Sequence, residues 1–169
     1  EDAVGNSATC AFSVNVYNNV APSIGCPSNV TISLLGSVCY GNYSGDPATS
    51  SATAGCDPGT VAYYNGLSVI GDLTHLQSYQ FPLGVTTVTA RTTDFSGSTS
   101  TCAFTVTVKD LTAPVVTGAV CNTTITVTTG PNCSALASWI PPTATDNCTA
   151  QGNLVQTQTH TPNASFPTG

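Results

Sequence analysis

Charge is what this sequence has least of. Only 6% of the residues are Asp, Glu, Lys or Arg, where an average domain has about a quarter. Two cations, Arg91 and Lys109, stand against eight acidic residues and leave a net charge of −6. Binding to a phosphate backbone or an anionic bilayer requires clustered Lys and Arg, so nucleic acid and membrane-surface partners are excluded. No apolar run approaches the roughly 18 residues of a membrane-spanning helix, so no membrane insertion is expected. No charged-then-apolar leader precedes Glu1, and the chain reads as mature, processed or excerpted. There is no Cys-x-x-Cys pair of the zinc or redox kind. Ser96 lacks the Gly-x-Ser-x-Gly frame of a nucleophile elbow. His75 and His160 stand beside no carboxylate or cysteine pattern that would make a triad or metal set, and both are expected as surface or edge residues. No catalytic residue and no enzymatic activity are therefore expected. With charge so scarce, Ser, Thr, Asn and Gly must meet the water.

What is present is a line read twice. Thr9-Cys10-Ala11-Phe12-Ser13-Val14-Asn15-Val16 returns as Thr101-Cys102-Ala103-Phe104-Thr105-Val106-Thr107-Val108. Ala21-Pro22 recurs as Ala113-Pro114, Cys26 as Cys121, Cys39 as Cys133 and Cys56 as Cys148, while Phe81-Pro82-Leu83-Gly84 is matched by Phe166-Pro167-Thr168-Gly169. The spacing stays at about 85 to 95 residues. That is too long for a solenoid unit and suits a small sandwich domain.

The repeated line alternates, placing Cys102, Phe104, Val106 and Val108 on one face and Ala103, Thr105 and Thr107 on the other, the pattern of a half-buried strand. Val85 to Thr92 reads as a second strand, joined to it through Asp94-Phe95-Ser96-Gly97, whose glycine supplies a tight turn. Asn29 to Leu34 and Asn122 to Thr128 also alternate, with Val30, Ile32, Leu34, Ile125 and Val127 expected inward. No amphipathic helix is expected. Trp139 reads as core filler. Tyr17 to Pro22 and Lys109 to Pro114 are short, proline-restricted junctions between modules, and a stiff rod is the expected result. The fold class expected is all-β, tandem immunoglobulin-like β-sandwich modules held by disulfides.

Eight cysteines in repeated positions indicate structural disulfides and an oxidising, extracellular compartment. Six N-glycosylation sequons begin at Asn29, Asn42, Asn122, Asn132, Asn147 and Asn163. In a chain so rich in Ser and Thr several arise by chance, and the two with Cys in the middle, at Asn132 and Asn147, are the poorest acceptors. N-linked glycans on a secreted or cell-surface protein are expected.

Asp94-Phe95-Ser96-Gly97 followed by Cys102 to Val108, then Asp110, Ala113-Pro114, Cys121, Cys133 and Pro142-Thr143-Ala144-Thr145-Asp146-Asn147-Cys148, resembles the HYR, or hyalin repeat, domain across the whole chain. The earlier copy keeps Cys26-Pro27 but has Thr53-Ala54-Gly55-Cys56 in place of Asp-Asn-Cys. The later copy keeps Asp146-Asn147-Cys148 but has Asn122 after Cys121. The resemblance implies an immunoglobulin-like fold in matrix, adhesion or cell-surface proteins without enzymatic activity. It divides the chain into a terminal strand of a preceding or neighbouring module (1–19), a complete module (20–110) and a second module lacking its final hairpin (111–169).

In a sandwich of this type the first strand runs beside the last, which pairs Cys26 with Cys102. The nearer cysteines are then paired as Cys39 with Cys56 and Cys133 with Cys148, although four cysteines in one module allow three connectivities. Cys10 and Cys121 remain. One reading takes the chain as an excerpt of a longer array. The other is head-to-tail assembly, in which the strand around Cys10 completes a neighbour's sandwich and bonds its Cys121. No cofactor and no metal site are expected. Calcium at Asp94, Asp110 or Asp146 near turns and junctions is weighed against simple turn capping.

The function expected is a structural extracellular protein, its modules building a glycosylated fibre, filament or adhesive coat. Its partners are copies of itself, adjacent HYR-like modules, and matrix or cell-surface proteins. The alternative is a recognition module that binds carbohydrate or a protein receptor through loops such as Gly55 to Asp72, with Tyr63 and Tyr64 stacking on the ligand against their reading as core or cross-strand residues.

Overall fold

A computed structural model describes residues 1–16, 20–52, 57–117 and 124–168. The chain is almost entirely β and forms an immunoglobulin-like sandwich. It divides into two compact units, one of residues 1–29, 43–79 and 87–105, the other of 30–42, 80–86 and 106–169. Strands β8 (Gly84–Thr93) and β9 (Thr99–Asp110) run through both.

The first unit is organised around the turn between these two long strands. The Asp94 N–H donates to the Ser98 carbonyl, and the Gly97 N–H donates to the Asp94 carbonyl, each at 3.1 Å. Gly97 sits at φ 85°, a value that glycine reaches without Cβ strain. Strand β5 (Thr60–Asn65) pairs antiparallel with β8, from Thr60 opposite Thr93 to Asn65 opposite Val88. Strand β6 (Ser68–Gly71) follows through a short hairpin with an irregularity at Tyr63 and Tyr64. Facing them, β1 (Ser23–Gly25) pairs with β4 (Thr49–Ser51). The two layers meet where the Ala48 N–H donates to the Tyr63 hydroxyl at 2.9 Å and where the Ser50 and Thr92 hydroxyls share the Pro58 carbonyl. Between them Phe104 packs against Tyr43 at 5.5 Å between ring centroids and edge-on to Tyr63 at 6.5 Å, geometries that aromatic quadrupoles favour.

Two short elements among the described residues depart from the all-strand expectation, a 3-10 turn at Gln151–Asn153 and one α-helix. Leu73–Ser78 forms helix α1, whose N-cap Asp72 accepts from the His75 N–H at 3.1 Å. Its six residues show too few turns for a readable periodicity, yet Leu76 is fully buried.

In the second unit β2 (Val30–Leu34) lies parallel to β9, Val30 opposite Val106 through Leu34 opposite Asp110. The full sheet order is β2-β9-β8-β5-β6. Strand β3 (Tyr40–Asn42) pairs with β7 (Gln80–Pro82). It approaches the sheet so closely that a Cβ on Gly41 would come within 2.9 Å of Ile32 and 3.2 Å of Val108. Two further ladders join β10 (Val115–Thr117) to β12 (Thr143–Thr145) and β11 (Ser134–Ala137) to β13 (Ala164–Pro167). The strand expected over 122–128 is not formed in its described part. Residues 124–129 belong to no ladder, and Ile125 and Val127 are exposed rather than inward. Alternation alone cannot make a strand whose backbone groups find no partner.

The two copies of the repeated line have opposite fates. Phe104, Val106 and Val108 are 2%, 0% and 2% exposed; Phe12, Val14 and Val16 are 84%, 72% and 91% exposed. Phe104→Ala is therefore expected to cost about 3–5 kcal/mol in urea unfolding, while Phe12→Ala in the same chain stays within about 0.5 kcal/mol. Equal losses at both positions would contradict this assignment of the core.

Candidate functional site

The cysteines define the first cluster. Cys26 bonds Cys102, with the Cα atoms 5.7 Å apart. Each lies four residues before a ladder partner, Val30 and Val106, so the bond continues the register of the parallel pair. Between them the Asn29 side-chain oxygen accepts from the Thr105 N–H at 2.8 Å.

The second bond corrects the expected pairs Cys39 with Cys56 and Cys133 with Cys148. Cys39 instead joins Cys148 across 109 residues of sequence, Cα to Cα 5.3 Å. The cause is local. The Asp146 carboxylate accepts from the N–H groups of Cys148 at 3.0 Å and Thr149 at 2.7 Å, which shapes a turn that presents Cys148. The Asn147 amide then donates to the Gly36 carbonyl, seating that turn on the loop before β3. Cys133, at φ 54°, is an exposed thiol, and so is Cys10. Cys56 and Cys121 lie outside the described residues.

The sequons at Asn29, Asn42, Asn132, Asn147 and Asn163 are all exposed; Asn122 lies outside the described residues. Asn163 sits at φ 68° on a turn. The Asn147 amide is committed to the Gly36 carbonyl and to the Cys148 sulfur, 2.9 Å away.

The aspartates weighed as calcium ligands each cap a turn of their own. Asp94 Oδ1 accepts from the Ser96 hydroxyl at 2.7 Å and from the N–H groups of Ser98 at 2.8 Å and Ser96 at 2.9 Å, while Oδ2 is buried with no hydrogen-bond partner. The Ser96 hydroxyl foremost, assisted by the backbone donors and opposed by burial, holds the Asp94 carboxyl below its ordinary 3.8. Asp146 is lowered chiefly by the Cys148 and Thr149 N–H groups. Asp110 accepts from the Thr112 N–H at 2.9 Å. Among the described residues no three His, Cys, Asp or Glu side chains converge as a metal set.

The two tyrosines offered as a stacking platform part company. Tyr63 is buried in the first unit and has no face left for a ligand. Tyr64 is half-buried on β5, its ring capped 4.6 Å from centroid by the Arg91 guanidinium, which also donates to its hydroxyl. His75 lies on the surface, its Nδ1 2.7 Å from Asp72. Trp139 is half-buried rather than core, and with Phe166, 6.3 Å away, it lines a groove of about 520 Å³ in the second unit. His160 flanks the same groove, 4.9 Å from the Phe166 ring. Trp139 carried no neighbour in sequence to mark that groove; the recurrence of the Phe-Pro pair at Phe166-Pro167 was the one available signal.

The HYR domain model matches residues 47–108. Hyalin of Strongylocentrotus purpuratus is 33% identical over 153 residues, which are 86% of this chain and 12% of hyalin. The chain thus spans about an eighth of that relative's length. No solved structure matches significantly.

Peptide mapping under non-reducing conditions is expected to return Cys26 linked to Cys102 and Cys39 linked to Cys148; a Cys39–Cys56 peptide would overturn the second assignment. Asp94 supplies a pH dependence. Its carboxyl is lowered in the folded state, so its contribution is fully present above the ordinary value near 3.8 and is lost as pH falls through the folded value. The melting temperature should fall on acidification below about pH 4, and Asp94→Asn should start lower and fall less steeply. An unchanged acid limb in Asp94→Asn would remove Asp94 from the cause.

Proposed function

The chain belongs to the HYR-domain proteins, with the domain at residues 47–108, and from that premise we propose that it is a structural extracellular protein whose modules build a glycosylated fibre, filament or adhesive coat. The observation that carries the reading is the repeated strand. In one copy it is sealed into a disulfide-bonded sandwich, and in the other the same apolar residues face solvent. Material made for burial but left outside is suited to joining modules. Neighbouring copies then connect head to tail by strand complementation, with Cys10 of one bonding Cys121 of the next. A contact of this type does not close on itself and extends into a filament. The partners are further copies, adjacent HYR-like modules, and matrix or cell-surface proteins. The role is non-enzymatic. Two disulfides and exposed sequons support a secreted or cell-surface location.

A second reading has its own observation. Tyr64, Leu67 and Arg91 line a shallow pocket of about 250 Å³ on the first unit, a surface suited to a carbohydrate or a receptor side chain.

Negative-stain electron microscopy of the purified, unreduced chain separates the two. Filaments with a regular axial repeat are expected. Dispersed single particles, together with stabilisation by added saccharide that Arg91→Ala abolishes, would favour recognition instead.

A further inference from the structure

We propose that Asn147 is a conditional glycosylation site: it takes an N-linked glycan only while Cys39 and Cys148 are unbonded, and the glycan and the bond exclude each other. This rests on the reading of a glycosylated extracellular protein above and gives its sequons unequal roles.

The exclusion turns on one nitrogen. Asn147 Nδ2 donates to the Gly36 carbonyl and lies 2.9 Å from the Cys148 sulfur. Only the nitrogen of a side-chain amide can face a carbonyl oxygen in this way, because the amide oxygen has no proton to give. Nδ2 carries two hydrogens, and both meet partners in the closed loop. The backbone of Asn147 is wedged as well, its carbonyl 3.2 Å from the Cys39 sulfur. Thr149, the third residue of the sequon, is half-buried, and its N–H is held by Asp146 at 2.7 Å.

Glycan transfer joins Nδ2 to the anomeric carbon of a lipid-pyrophosphate-linked oligosaccharide; Nδ2 loses one proton and the lipid pyrophosphate leaves. The sugar ring then stands where the Gly36 carbonyl or the Cys148 sulfur lies, and the Asp146 turn can no longer seat on the loop before β3. Closure of the bond takes two protons and two electrons from the thiols of Cys39 and Cys148 and passes them to the disulfide of an oxidised thiol oxidoreductase by exchange. Each product occupies the space the other needs.

Asn29 is the contrast within the same chain. Its side-chain oxygen is the engaged atom, accepting from the Thr105 N–H at 2.8 Å beside the Cys26–Cys102 bond. Glycan transfer leaves that oxygen untouched, and Asn29 and Thr31 are exposed on one face of the extended chain. Asn29 therefore carries its glycan with the neighbouring bond closed. Order of synthesis sharpens the difference. Cys26 precedes its partner by 76 residues, so Asn29 is offered for transfer before that bond can form. Cys148 follows its partner by 109 residues, so Cys39 is already waiting when Asn147 emerges.

Glycopeptide mass spectrometry without reduction, on the full chain routed through the secretory pathway of eukaryotic cells, tests this. In wild type, Asn29 is expected to be occupied, and Asn147 bare wherever the Cys39–Cys148 bond is closed. Cys39→Ser removes the bond and leaves Asn147-Cys148-Thr149 intact, so occupancy at Asn147 should rise several-fold. Cys26→Ser removes the other bond, and Asn147 should stay bare in every molecule that keeps Cys39–Cys148, which separates loss of this bond from destabilisation in general. A glycan on Asn147 in molecules with the Cys39–Cys148 bond closed overturns the proposal. So does an Asn147 that stays bare in Cys39→Ser. If Asn29 is occupied in that variant, the middle cysteine alone spoils the sequon and the glycosylated reading stands; if Asn29 is bare too, that reading falls with the proposal.

Discussion

The parallel register of β2 against β9 is the constraint on which the rest of the sandwich depends. Parallel neighbours cannot be joined by a tight turn, so the chain must travel the whole course of β3 to β8 before β9 returns beside β2. Closing so long an excursion is entropically costly, and the Cys26–Cys102 bond, in step with the ladder, removes much of that cost from the unfolded chain. Once β9 is placed, Phe104 is held between Tyr43 and Tyr63, and Val106 and Val108 are buried. Gly41 then allows β3 to lie against Ile32 and Val108.

Very little of this stability is Coulombic. The exposed contact between His75 Nδ1 and the Asp72 carboxylate is worth little in water, and Arg91 spends its charge on the Tyr64 ring. The aspartates act as acceptors for local N–H groups, shaping the turns at Asp94 and Asp146. Short-range donors of this kind are almost untouched by salt, which screens exposed pairs. A protein built this way keeps its fold across ionic strengths that would loosen a charge-laced surface.

The sequence made the β8–β9 hairpin legible because alternation, an Asp-x-Ser-Gly turn and a second alternation stand in unbroken order. The pairing of Cys26 with Cys102 came through the fold that the HYR resemblance implied. Other features were hidden for identifiable reasons. Helix α1 is a single capped turn and a half whose one buried apolar residue, Leu76, makes no pattern. The Cys39–Cys148 bond depends on how the Asp146 turn seats on Gly36, a contact that no spacing encodes. Alternation at Ile125 and Val127 named the faces of a strand, but 124–129 form no ladder among the described residues. Trp139 became a groove wall only when Phe166 was brought beside it.

The Cys26–Cys102 bond also decides where tension would travel. A pull applied along the backbone from either side passes across the sulfur bridge and bypasses the chain between, a sequence separation of 76. That hidden length, roughly 250 Å if drawn out, cannot be released while the bridge is intact. The module is therefore inextensible under load: it transmits force instead of yielding, and give in any larger assembly must come from its joints.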